Sequence, residues 1–194
     1  MSFEEQKQKY MDALYKPDNS KKGNVDEYVQ PLIDMINDHS DYYTTSSCSG
    51  RIVLFTCEDY TKKFTANWIF ASHRPVSYEE LAPFLNDLPQ TEVWFRQESF
   101  IFHVCAKDFE AAQKFLVFSQ ANGYKHTGII GSKKRFIIEI LGVERIAAPI
   151  AVDGELIVDE DYLKKTIVLA NTNLERVHKG IDRFKKAWEE EFVK

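Results

Sequence analysis

From Leu163 onward apolar residues recur at Ile167, Ala170, Leu174, Val177, Ile181, Phe184 and Trp188, in alternating steps of four and three. That spacing keeps one side of an α-helix apolar and predicts a long helix starting near Asp159. A stripe of this length must be covered. Its first half is expected to lie on a sheet, and its second half either extends into a homodimer contact or folds back. At the other end, Ser2 and Glu5 have the spacing of a capping box for a helix reaching about Tyr15. The stretch Lys16 to Gly23 breaks it and predicts a mobile loop. Tyr28, Val29, Leu32, Ile33 and Ile36 then predict a helix over Asp26 to Asp38, with Pro31 in its first turn or two.

The middle of the chain reads as strands near Arg51 to Cys57, Ala66 to Ser72, Glu92 to Gln97, Ser99 to Cys105 and Arg135 to Leu141. Several are apolar on both faces, which implies a covered sheet. Ser77 and Glu80 cap a short helix, Tyr78 to Leu85, and Asp108 caps a firmer one, Phe109 to Ala121, closed by Asn122-Gly123. A strand pair ending at the Asp153-Gly154 turn precedes the final helix. The expected class is therefore α+β: one compact domain over residues 1–194, a mixed sheet covered by helices, and a long C-terminal helix.

Composition narrows the picture. A hydrophobic content of 44% in 194 residues supports a sizeable core. The amino terminus lacks the basic flank and apolar core of a secretory signal, and no apolar run approaches a membrane span, so a soluble, cytoplasmic protein with no membrane partner is expected. Cys48, Cys57 and Cys105 are odd in number and lack zinc-knuckle spacing, as suits free thiols. A net charge of −5 argues against indiscriminate coating of nucleic acid. It leaves room for a structured RNA held at a local patch, for which Lys21-Lys22, Lys62-Lys63 and Lys133-Lys134-Arg135 are candidates.

The chemistry concentrates at Ser46-Ser47-Cys48-Ser49-Gly50-Arg51, between Asp41-Tyr42-Tyr43-Thr44-Thr45 and the apolar run Ile52-Val53-Leu54-Phe55. A turn that needs only shape is served by Asn-Gly or Asp-Gly, whereas three serines, a cysteine and an arginine add hydrogen-bonding groups. Cys48 or a neighbouring serine with His73 or His103 as base would make a nucleophile site, although no Gly-x-Ser-x-Gly elbow is present. His103 and Cys105 share a strand face but lack further metal ligands, and no metal is expected. No Gly-x-Gly-x-x-Gly turn follows the first strand, so an ordinary dinucleotide or Rossmann-type methyl-donor site is not indicated. A nucleotide-like ligand would instead need hydroxyls and the Arg51 fork for its charged parts and an aromatic wall for its base. Tyr42, Tyr43, Trp68 and Trp94 are the candidate walls.

Taken in order, DYYTTSSCSGRI, the strand from Trp68 to Ser72-His73, WFR and FIFHV (Trp94 to Val104), ANGYKHTGI (Ala121 to Ile129), VERIAAPI (Val143 to Ile150) and YLKKTIVLAN (Tyr162 to Asn171) resemble the wybutosine-synthesizing protein 3 family. The resemblance covers nearly the whole chain, and its serine-cysteine-arginine element is the most specific piece. It implies a non-Rossmann fold and transfer of a methyl group from S-adenosylmethionine to N4 of the tricyclic wyosine precursor at position 37 of tRNA-Phe. It further implies Ser47, Ser49, Arg51 and Asn171 as cofactor-binding residues and His73 and His103 as catalytic ones. Tyr43, Trp68, Trp94 and Gly128 would face the tRNA-Phe anticodon loop. Thr127-Gly128-Ile129 and Glu98-Ser99-Phe100 depart from the family pattern, which bears on loop geometry. The alternative from another class is a non-catalytic RNA- or protein-binding module of the same fold.

Overall fold

The computed structural model describes residues 1–14, 26–57 and 66–193. The loop expected over Lys16 to Gly23 and the pair Lys62-Lys63 lie outside the described residues. In chain order the elements are α1 (Phe3–Leu14), α2 (Gln30–Asp38), β1 (Tyr42–Cys48), β2 (Arg51–Cys57), β3 (Ala66–Ser72), α3 (Tyr78–Leu81), a 3-10 turn (Ala82–Leu85), β4 (Val93–Glu98), β5 (Ile101–Ala106), α4 (Phe109–Ala121), β6 (Gly128–Gly131), β7 (Phe136–Leu141), β8 (Ile146–Val152), β9 (Glu155–Leu156) and α5 (Glu160–Phe192). The α+β class and the long C-terminal helix agree with the reading of the sequence. Where a single mixed sheet was expected, the strands form two sheets, ordered β1-β5-β7-β6 and β3-β2-β4-β8-β9, and every pairing is antiparallel. The chain divides accordingly into two compact units, Met1–Ser49 with Phe100–Gly142 and His178–Lys194, and Gly50–Ser99 with Val143–Val177.

In the first unit the Ser2–Glu5 capping box closes as expected, Glu5 donating its backbone N–H to Ser2 Oγ (3.2 Å) and Ser2 its N–H to Glu5 Oε2 (2.8 Å). α2 begins at Gln30 rather than Asp26, because Pro31 lacks an N–H and fits only the first helical turn; Asp26 to Val29 form a turn instead. β5 and β7 direct Phe102, Val104, Ile138 and Ile140 into the core, where they are fully buried with Phe115 of α4 and with Phe184 and Trp188 of α5. Trp188 stacks on Phe192 at 4.0 Å and meets Tyr42 edge-on at 5.7 Å. Residues of its own chain thus cover the second half of the helical seam. The pattern does not predict β6, since four residues with a glycine at either end carry little alternation.

The second unit buries Ile52 and Leu54 of β2, Val93 and Phe95 of β4 and Ile150 of β8 against Leu163, Ile167, Ala170 and Leu174 of α5. The Ser77–Glu80 capping box is formed at the head of α3. β8 and β9 join through Asp153 and Gly154, both at positive φ (52° and 78°), as a tight two-residue hairpin turn requires.

At the end of α2, His39 Nδ1 accepts the backbone N–H of Asp41 (3.2 Å), and the ring packs on Tyr42, Trp188 and Phe192. Burial chiefly lowers its pKa; nearby Lys114 and Lys7 act in the same direction and Asp41 opposes them. Below the ordinary histidine value of about 6.5 the unfolded chain therefore takes up a proton before the folded one does, and stability falls as pH falls. Urea midpoints at about pH 7.5 and 5.5 should drop more for the wild type than for His39→Gln. Equal drops would remove this assignment.

Candidate functional site

The hexapeptide that stands out in the sequence spans the boundary between the units: Ser46 to Ser49 end the first, and Gly50 and Arg51 begin the second. β1 and β2, expected to meet at a turn, do not pair with each other. Gly50 has φ +97°, and a Cβ there would come within 2.9 Å of the Glu98 carbonyl oxygen, so only glycine fits.

In the second unit β2, β3 and β4 bring a set of planar groups to one sheet face. Arg51 pairs with Glu98, Val53 with Arg96 and Phe55 with Trp94 across β2 and β4, while Phe55 pairs with Trp68 across β2 and β3. Cross-strand partners share a face, and the intervening Ile52, Leu54 and Phe95 point to the core instead. Arg51 Nε donates to Glu98 Oε2 at 2.6 Å, and its guanidinium lies 4.3 Å from the Trp68 ring. Arg96 donates to the other oxygen, Glu98 Oε1, at 3.4 Å, and its guanidinium lies 4.3 Å from the Phe55 ring. One carboxylate thus holds two guanidinium groups, each layered on an aromatic ring. Trp68 is 41% exposed, and Trp94 is half-buried with its indole N–H donated to Glu92 (3.0 Å).

His73 follows β3, and its Nδ1 lies 2.9 Å from the Gly50 carbonyl oxygen. A carbonyl only accepts, so Nδ1 carries the hydrogen and the neutral ring keeps its lone pair on Nε2. Asn171 makes a two-point latch: its Oδ1 accepts the Val76 N–H (2.9 Å) and its Nδ2 donates to the Val76 carbonyl (2.7 Å). This ties α5 to the segment after β3 and commits the amide to backbone.

In the first unit the row Ser46, His103, Glu139, Gly128 crosses all four strands of the sheet. His103 Nε2 donates to Glu139 Oε2 at 2.8 Å, which places the lone pair of the neutral ring on Nδ1. Ser47 pairs with Phe102 and therefore leaves the face opposite to His103. Two of the expected site residues are enclosed by their own unit. Tyr43 is fully buried against Phe3 and Tyr10 of α1, with no ring face open to a base. Ser49 is also fully buried, and both its hydroxyl and its N–H are donated to Asp26 Oδ2, so it secures the turn.

The structure therefore groups Arg51, Trp68 and Trp94 on one face in the second unit, and His103 with Gly128 in one row of the first. Glu98, Arg96, Glu139 and Asp26 are not among the candidates that residue type alone singles out. Glu139 is legible as a lone charge in the apolar run Phe136 to Leu141, and Arg96 and Glu98 as charges at strand period in β4. Asp26 carries no such signal.

The fold is α+β, the second unit sets guanidinium and indole groups on one sheet face, and the sequence holds no glycine-rich phosphate loop. A sequence model of the family described as Methyltransferase TYW3 matches residues 5–190, and the chain belongs to that family, a family of methyltransferases. It is 39% identical over 90% of its length to a Thermococcus sibiricus protein, of which the match covers 88%, named tRNA(Phe) 7-((3-amino-3-carboxypropyl)-4-demethylwyosine(37)-N(4))-methyltransferase. A Thermococcus kodakarensis protein of the same name, numbered 1, is 35% identical over 95% of this chain and 93% of its own. The solved structure of the PH1069 protein from Pyrococcus horikoshii superposes with a TM-score of 0.85 at 33% identity, covering 95% of each chain.

Replacing Asn171 by alanine removes both hydrogen bonds to Val76 and should cost about 1–3 kcal/mol in denaturant unfolding. A loss below about 0.5 kcal/mol would show that the latch is not structural.

Proposed function

We propose that this chain transfers a methyl group from S-adenosylmethionine to N4 of the 7-(3-amino-3-carboxypropyl)-4-demethylwyosine at position 37 of tRNA-Phe, in wybutosine biosynthesis. Family membership and the names of its relatives support the reaction. The structural observation that carries the reading is Arg51, fixed through Nε by Glu98 and layered on the exposed Trp68 ring.

The donor set fits a sulfonium amino-acid nucleoside. Arg51 has its terminal amino groups without a hydrogen bond among the described residues, which leaves its fork for a carboxylate, and Trp68 offers an aromatic face to a purine. When bound, S-adenosylmethionine supplies a methyl carbon already activated by positive sulfur. The protein's share is then placement, with N4 aligned at about 3–3.5 Å, and removal of the proton that N4 loses as the new N–C bond forms. His103, with its lone pair on Nδ1, and His73 are the residues proposed to receive that proton. Trp94 and Gly128 serve the flipped-out base and its loop. No helix among the described residues is long and apolar enough to cross a membrane, and work on tRNA of this kind belongs in the cytoplasm.

The test is incubation with labelled S-adenosylmethionine and tRNA-Phe from cells lacking the activity, followed by mass spectrometry of the position-37 nucleoside. One added methyl is expected. Tight tRNA binding without transfer would favour the non-catalytic module. Arg51→Lys should fold normally but lose roughly 1.5–3 kcal/mol of donor affinity by calorimetry, because an ammonium cannot replace the paired fork; unchanged affinity would free Arg51 of this role. His103→Ala should lower the single-turnover rate by about tenfold or more with little change in melting temperature. The reverse pattern would make His103 a packing residue.

A further inference from the structure

The reaction just described sets a charge problem that Arg51 alone does not solve. The donor brings a carboxylate and the anticodon loop brings phosphates, and a single guanidinium cannot clamp both. Arg51 sits at 4.3 Å from Trp68 with its Nε held by Glu98. On the same sheet face, two residues from Glu98 along β4, Arg96 repeats the arrangement with Phe55 as its ring and the second Glu98 oxygen as its anchor. Its side chain is 35% exposed, and only one of its amino groups is engaged by Glu98. Trp94, two residues further along β4, shares that face.

We propose that Arg96 is an RNA-binding residue of the second sheet, taking a backbone phosphate of the anticodon loop, with Glu98 as the positioning residue that holds Arg96 and Arg51 to separate anions. The inference rests on the tRNA reading given above. Stacking on Phe55 and the hydrogen bond to Glu98 fix the guanidinium plane before any ligand arrives, so little rotamer freedom is lost on contact. Trp94, beside it on the strand, offers an aromatic surface to a neighbouring unstacked base. Alternating cations and rings are what a single-stranded segment binds by charge and stacking together. A phosphate at Arg96 also brings the nucleotide to the strand position adjoining the Arg51–Glu98 pair.

The test is the affinity of unmodified tRNA-Phe for the full chain, followed by fluorescence anisotropy across a series of KCl concentrations, with donor affinity measured in parallel. Arg96→Gln should weaken tRNA binding by about tenfold or more and reduce the slope of log K against log salt by about 1. Arg96→Lys, which keeps the charge and loses the stacked plane, should keep the slope while binding less tightly than wild type. Melting curves of both variants identify any failure to fold, and the lysine variant then still decides the question. Arg96→Gln with wild-type affinity and slope would overturn the inference and leave the tRNA reading standing. A wild-type chain that binds no tRNA-Phe at low salt would overturn both.

Discussion

The apolar seam of α5 is the constraint on which the rest of the structure depends. Leu163, Ile167, Ala170 and Leu174 complete the core of the second unit, and Ile181, Phe184 and Trp188 complete the aromatic core of the first. Fully burying each of the leucine, isoleucine and phenylalanine side chains among them contributes about 1.5–3 kcal/mol, a large share of the stability expected of a domain. With one helix face so used, each sheet has one side assigned to packing. In the second sheet that assignment sends Ile52, Leu54 and Phe95 inward, and the strand period then forces Arg51, Arg96 and Glu98 onto the other face. The site is therefore a consequence of how the core is built.

Glu98 turns that placement into geometry. A guanidinium on a strand has several rotamers, but a carboxylate on one edge and an aromatic ring beneath leave few of them open. Both arginines are restricted in this way by the same carboxylate. With no glycine-rich loop in the sequence, the proposed binding of a nucleotide-like ligand draws on side-chain planes and charges, and this face carries both.

The periodic parts of the chain were readable in advance. The α5 seam, the three capping residues Ser2, Ser77 and Asp108, and strands β2 and β3 appear where the pattern puts them, since each is determined within a few residues. Which sheet a strand joins is not determined locally. β1 and β2 flank Ser49-Gly50 as hairpin partners would, yet β1 pairs with β5 and β2 with β3 and β4, because burial of each strand against distant segments outweighs proximity in sequence. The same holds at the site. Arg51, Trp68 and Trp94 stand out by residue type, and the structure adds their shared face. Asp26 and Glu98 matter through what they touch, and no local pattern reveals that Ser49 is held by one and Arg51 by the other. Tyr43 shows the converse: an aromatic beside a reactive-looking motif, buried under α1.

The most direct test of the account is a crystal structure with S-adenosylhomocysteine, the product left when the donor gives up its methyl group. The account predicts the ligand carboxylate on the Arg51 fork and its purine against Trp68, with the Arg51–Glu98 contact retained. A ligand bound elsewhere, with Arg51 and Trp68 untouched, would contradict it.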